Sequence, residues 1–102
     1  MLAKFLEGTR NCCTPNGGTI QLEYFLLEKE SKNSLSKTYG IEIVKKCMHF
    51  GETIYTETDQ IDSLTHEKES AQEIINKLIA NTVTPISMLN IIDDLMDETP
   101  WA

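Results

Sequence analysis

The chain has 102 residues, 40% hydrophobic and 25% charged, which suits one small folded domain and excludes a disordered chain. Its formal net charge is −7, unevenly placed: residues 1–60 hold seven Lys/Arg against eight Asp/Glu, and residues 61–102 hold two against eight. Phosphate and anionic lipid are bound mainly by cationic side chains, so nucleic acid and membrane surfaces are poor partners; a basic protein is allowed, the acidity being mostly a matter of solubility.

No apolar run approaches the ~20 residues a membrane span needs. The opening MLAKFLEGTR is interrupted by Lys4 and is too short for a secretory signal. A cytosolic protein is therefore expected. Cys12, Cys13 and Cys47 are odd in number and two are adjacent, so free thiols are expected rather than a disulfide framework.

In chain order, residues 1–18 read as a flexible N-terminal arm in which MLAKFLEG is open to one helical turn or a short strand, with Pro15, Gly17 and Gly18 marking a turn. Residues 19–98 then form a single domain. Thr19–Glu28 alternates, with Ile20, Leu22, Tyr24 and Leu26 on one face and Gln21, Glu23, Phe25 and Leu27 on the other, a strand whose second half is apolar on both sides. The polar stretch 29–37 reads as a loop. Thr38–Phe50 is the next strand, and its apolar side changes near Lys45-Lys46, where a bulge is expected. Gly51 turns the chain into a third strand, Glu52–Asp59, rich in Thr, Ile and Tyr.

Residues 61–98 carry the helical period. Thr65 reads as an N-cap, followed by Ala71, Ile74, Ile75, Leu78 and Ile79 at helical spacing, with Asn81 as a left-handed stop. Thr84-Pro85 reads as the start of a second helix. Its stripe of Ile86, Leu89, Ile92 and Met96 is widened by Met88, Ile91 and Leu95, wider than one neighbour needs. The expected fold is α+β, a three-stranded antiparallel meander with a C-terminal two-helix hairpin packed on one face (β-β-β-α-α). Residues 99–102 are a tail.

YGIEIVKK at 39–46, the Gly51-Glu52 turn, the acidic lead at 57–62 and VTPISMLNIIDD at 83–94 resemble a family of small uncharacterised proteins, a domain of unknown function, from clostridia-type bacteria. The resemblance covers most of residues 20–97. It implies a single bacterial domain and carries no active site with it.

Chemistry-bearing clusters are sparse. Asp93-Asp94-Leu95-Met96-Asp97 matches the D-D-x-x-D pattern of isoprenoid synthases, which bind Mg²⁺-diphosphate, but the basic phosphate clamps are missing. Asp93/Asp97 and Asp94/Glu98 are like-charge pairs at a helix C-terminus, which favours solvent or a basic partner around them. Cys47 and His49 share a strand face. With Cys12, Cys13 and His66 they lack zinc-ligand spacing, so neither a metal nor a cofactor is expected. The leading reading is a non-enzymatic protein–protein interaction or regulatory module binding a protein partner or forming a homodimer. Ile91, Leu95, Asp93, Asp94, Asp97 and Trp101 are its contact candidates. The alternative is a small ligand-binding domain or thiol enzyme using Cys47 and His49, with Tyr39 or Tyr55 nearby.

Overall fold

The computed structural model describes residues 2–15, 17–30 and 36–98; side chains are described except at residues 2 and 96–98. The elements are β1 (Leu2–Cys13), β2 (Gly18–Glu30), β3 (Lys37–His49), β4 (Glu52–Thr65), α1 (Lys68–Ala80) and α2 (Pro85–Glu98). The class is α+β with the helices after the strands, as expected, but the sheet has four strands rather than three, in the order β1-β2-β3-β4. The additional strand lies in the stretch read as an arm. LAKFLEGTRNCC hides this because its side chains are largely exposed on both faces, so no alternation marks it. Its antiparallel hydrogen bonds to β2 hold it, from Leu2↔Lys29 to Cys13↔Thr19, with a bulge at Glu7. Thr14 closes the turn that follows: its N–H donates to Gly18 O (2.9 Å) and its Oγ1 accepts from Gly18 N–H (3.0 Å).

β3 and β4 meet at Phe50-Gly51. Both residues have positive φ, 52° and 82°, the two-residue hairpin geometry whose twist matches the strands. Irregular pairing falls at Cys47/Met48, where Ile54 is the extra residue, slightly beyond the Lys45-Lys46 bulge expected from the sequence. A second irregularity lies where Gly40 faces Asp62–Leu64. A Cβ on Gly40 would collide with the carbonyl oxygens of Ile61 and Asp62, so only glycine admits this approach of the β4 backbone. β4 therefore runs to Thr65, past the Asp59 boundary read from the sequence.

Helix α1 starts later than Thr65. Glu67 is its N-cap residue, without a side-chain cap, and Thr65 Oγ1 instead accepts the Glu67 N–H (3.2 Å) in the turn before the helix. The left-handed residue after α1 is Thr82 (φ 51°), one position beyond Asn81. Thr82 N–H donates to Ile79 O and Val83 N–H to Leu78 O (3.1 and 3.0 Å), the paired bonds of a Schellman stop. Pro85 opens α2, where its missing N–H costs nothing.

The helices lie on one face of the sheet. Leu22, Tyr24, Leu26, Ile41 and Ile43 meet Ala71, Ile74, Ile75, Leu78, Val83, Met88 and Ile92 in a single buried cluster. On the opposite face Leu27 is also buried: Lys4, its partner in the register, reaches over Phe25 (4.2 Å to the ring centroid) to pair with Glu42. This contact is an ion pair without hydrogen-bond alignment. Lys46 pairs with Glu23 (3.0 Å) further along.

The strand layer outruns the helix layer. Strands of 12 to 14 residues are about 40–45 Å long, whereas helices of 13 and 14 residues are about 20 Å. The long axis of the molecule, 49 Å, is therefore a strand dimension.

Candidate functional site

The helix-bearing face is ordered in cross-strand rows. Phe5–Leu26–Ile41–Ile61, Gly8–Tyr24–Ile43–Asp59 and Arg10–Leu22–Lys45–Glu57 come first, then Cys12–Ile20–Cys47–Tyr55. Two long-range bonds show where the helical cover ends. Tyr24 O–H donates to Val83 O (2.9 Å), and Arg10 Nε donates to Ile79 O (2.9 Å) at the end of α1. Both tie the α1–α2 turn to the second and third rows. Burial pushes the Tyr24 phenol up from 10 to about 12, against the opposing field of Arg10.

Beyond those rows lies an open end. Ile20 and Cys47 are half-buried there, whereas Tyr55, Ile54 and Phe50 are 52%, 69% and 87% exposed. Phe50 combines the greatest exposure of the large apolar side chains described with a left-handed backbone. Its ring meets that of His49 edge-on, centroids 4.3 Å apart. Tyr55 O–H donates to Glu57 Oε2 (2.8 Å), which raises the Tyr55 phenol above its ordinary range. Glu57 Oε1 is enclosed with no hydrogen-bond partner among the described residues.

Cys47 and His49 do project from this end on one face. The lateral neighbours of Cys47 are Ile20 and Tyr55. Tyr39 belongs to the other end of β3, its O–H directed to Glu28 (3.4 Å). His66 contacts Lys37 O (3.3 Å) there too, about 30 Å along the strand from Cys47. Among the described residues no three His, Cys, Asp or Glu side chains gather as a metal site.

A family model described as a family of unknown function, DUF6514, matches residues 3–98. The chain belongs to the DUF6514 family. Searches of curated proteins and of solved structures found no match.

In this DUF6514 chain the contact candidates on α2 separate by depth. Ile91 and Leu95 are half-buried against the core cluster, and Asp93 and Asp94 are exposed. The side chain of Asp97, and Trp101 as a whole, lie outside the described residues. Among the described side chains of α2, the outward apolar ones are Ile86 (73% exposed) and Leu89 (48%). No helix of the described DUF6514 chain is long and apolar enough to cross a membrane. The open sheet end escaped sequence reasoning because burial there depends on where the helices stop along the strands. One signal was available: Phe50 precedes Gly51 in a two-residue turn, where Asn-Gly is the favoured pair.

Proposed function

We propose that this DUF6514 chain is a non-enzymatic interaction module that docks another protein through the open end of its sheet. Phe50 is the anchor, with Ile54 and Tyr55 beside it. The observation that carries the reading is Phe50 itself. A bulky side chain at positive φ is strained, and asparagine in its place before Gly51 would relieve that strain. An aromatic ring 87% exposed returns little of that free energy to the fold. Strain without a return in folding is a mark of a contact residue, and aromatic side chains are frequent interface anchors.

The outer face of α2 is a second contact surface in this reading. Ile86 and Leu89 form its apolar part, Ile91 and Leu95 its flank, and Asp93 and Asp94 an acidic border suited to a basic partner.

The test places a photo-crosslinking amino acid at Ile54 in the native host and, as control, at exposed Asn76 on α1. A discrete adduct from position 54 alone is expected. It should be lost in the Phe50→Asn variant while thermal stability holds or rises. An undiminished adduct in Phe50→Asn, or the same adducts from position 76, would overturn the reading.

A further inference from the structure

A sheet in the order β1-β2-β3-β4 has two edge strands, each presenting unpaired backbone N–H and C=O groups. Such edges are ordinarily guarded by charge, proline or irregularity. β4 is guarded: it carries Glu52, Glu57, Asp59 and Asp62 with no basic residue, and its pairing is interrupted twice. β1 is guarded less: its pairing is interrupted once, at Glu7, it has no proline, and its three charged side chains all turn back onto the protein. Lys4 pairs with Glu42, Glu7 accepts from Gln72 Nε2 (3.0 Å), and Arg10 donates to Ile79 O (2.9 Å). What remains on the strand is exposed Phe5 and Leu6, followed by Thr9, Asn11, Cys12 and Cys13.

We propose that the outer edge of β1 pairs antiparallel with β1 of a second copy, joining two four-stranded sheets across a two-fold axis. Charge favours this edge over that of β4 for pairing between copies. β1 carries +1 (Lys4 and Arg10 against Glu7) in a chain of net −7, so it is where two copies meet with little repulsion, whereas two β4 edges would set four acids against four. An antiparallel edge is also self-complementary about a two-fold axis, as a symmetric interface requires. The bulge at Glu7 divides the edge into two straight runs, Leu2–Leu6 and Gly8–Cys13. Pairing one strand edge covers less than the ~1,200–2,000 Å² of a stable interface. The dimer is therefore a reversible one. This pairing uses a different surface from the hairpin end and stands or falls separately from it.

The test is sedimentation equilibrium of the full chain from low micromolar to millimolar concentration, under thiol reductant so that Cys12 and Cys13 cannot cross-link. A monomer–dimer equilibrium is expected, with slowed hydrogen exchange of β1 amides at high concentration. Leu6→Lys should weaken the dimer about tenfold or more, as should Thr9→Lys, which disturbs no apolar side chain. Thr58→Lys, at an exposed position of β4 away from the hairpin end, should leave it unchanged. A monomer throughout the range would overturn the proposal. So would a dimer that survives both β1 variants, or one lost with Thr58→Lys.

Discussion

The rows Phe5–Leu26–Ile41–Ile61 and Cys12–Ile20–Cys47–Tyr55 belong to the same four strands and the same face. Under the helices, Leu26 and Ile41 are fully buried; beyond them, Ile20 and Cys47 are half-buried and Cys12 and Tyr55 exposed. Backbone pairing continues through both regions, so pairing alone does not create the core. Apolar side chains are buried where a second layer is long enough to reach them. The comparison assigns stability to the covered rows and contact to the open ones.

Substitutions sharpen that division, beginning with the core. Leu78→Ala, beneath the helix turn, should destabilise by about 2–5 kcal/mol in urea unfolding. The same truncation at exposed Ile54 should stay within about 0.5 kcal/mol. Equal losses at the two sites would erase the distinction. Gly40→Ala follows, at about 1–3 kcal/mol or more, because the new methyl meets carbonyl oxygens that cannot move without breaking the β4 irregularity.

Tyr24→Phe should cost about 1–3 kcal/mol by leaving Val83 O buried and unmet. Its pH signature is separate. An unfolded phenol ionises near 10, while the folded one holds its proton to about 12. The folded state thus binds more protons in that window, and stability falls as pH rises from 10 to about 12. Tyr24→Phe should lack this part of the alkaline decline. A variant whose stability tracks the parent through the window would contradict the burial assigned to Tyr24. The smallest effect has the opposite sign: Phe50→Asn should stabilise by about 1 kcal/mol, read as a higher melting temperature.

The helical half was legible because Ala71, Ile74, Ile75 and Leu78 repeat at helical spacing and Pro85 marks a start. Alternation likewise placed Ile20, Leu22, Tyr24 and Leu26 on one face, which the core cluster bears out for the last three and for Ile20 at its margin. β1 was legible only as one option for its first eight residues, because an edge strand held by main-chain bonds needs no apolar period. The end of β4 was missed for a related reason: the extra residues beside Gly40 break alternation where the strand continues. On the site, the sequence exposed the width of the α2 stripe but not its sidedness. Ile91 and Leu95 look like Ile86 and Leu89 until the position of the sheet is known. The polar connection read at 29–37 is partly strand, since β2 runs to Glu30 and β3 begins at Lys37, and positions 31–35 lie outside the described residues.

Residue-resolved native-state hydrogen exchange tests this division most directly. Backbone amides of the covered rows, at Tyr24, Leu26, Ile41 and Ile43, should exchange only through global unfolding, whereas paired amides at Ile20, Cys47 and Tyr55 should open at markedly lower free energy. Uniform protection along the strands up to Phe50 would contradict the account.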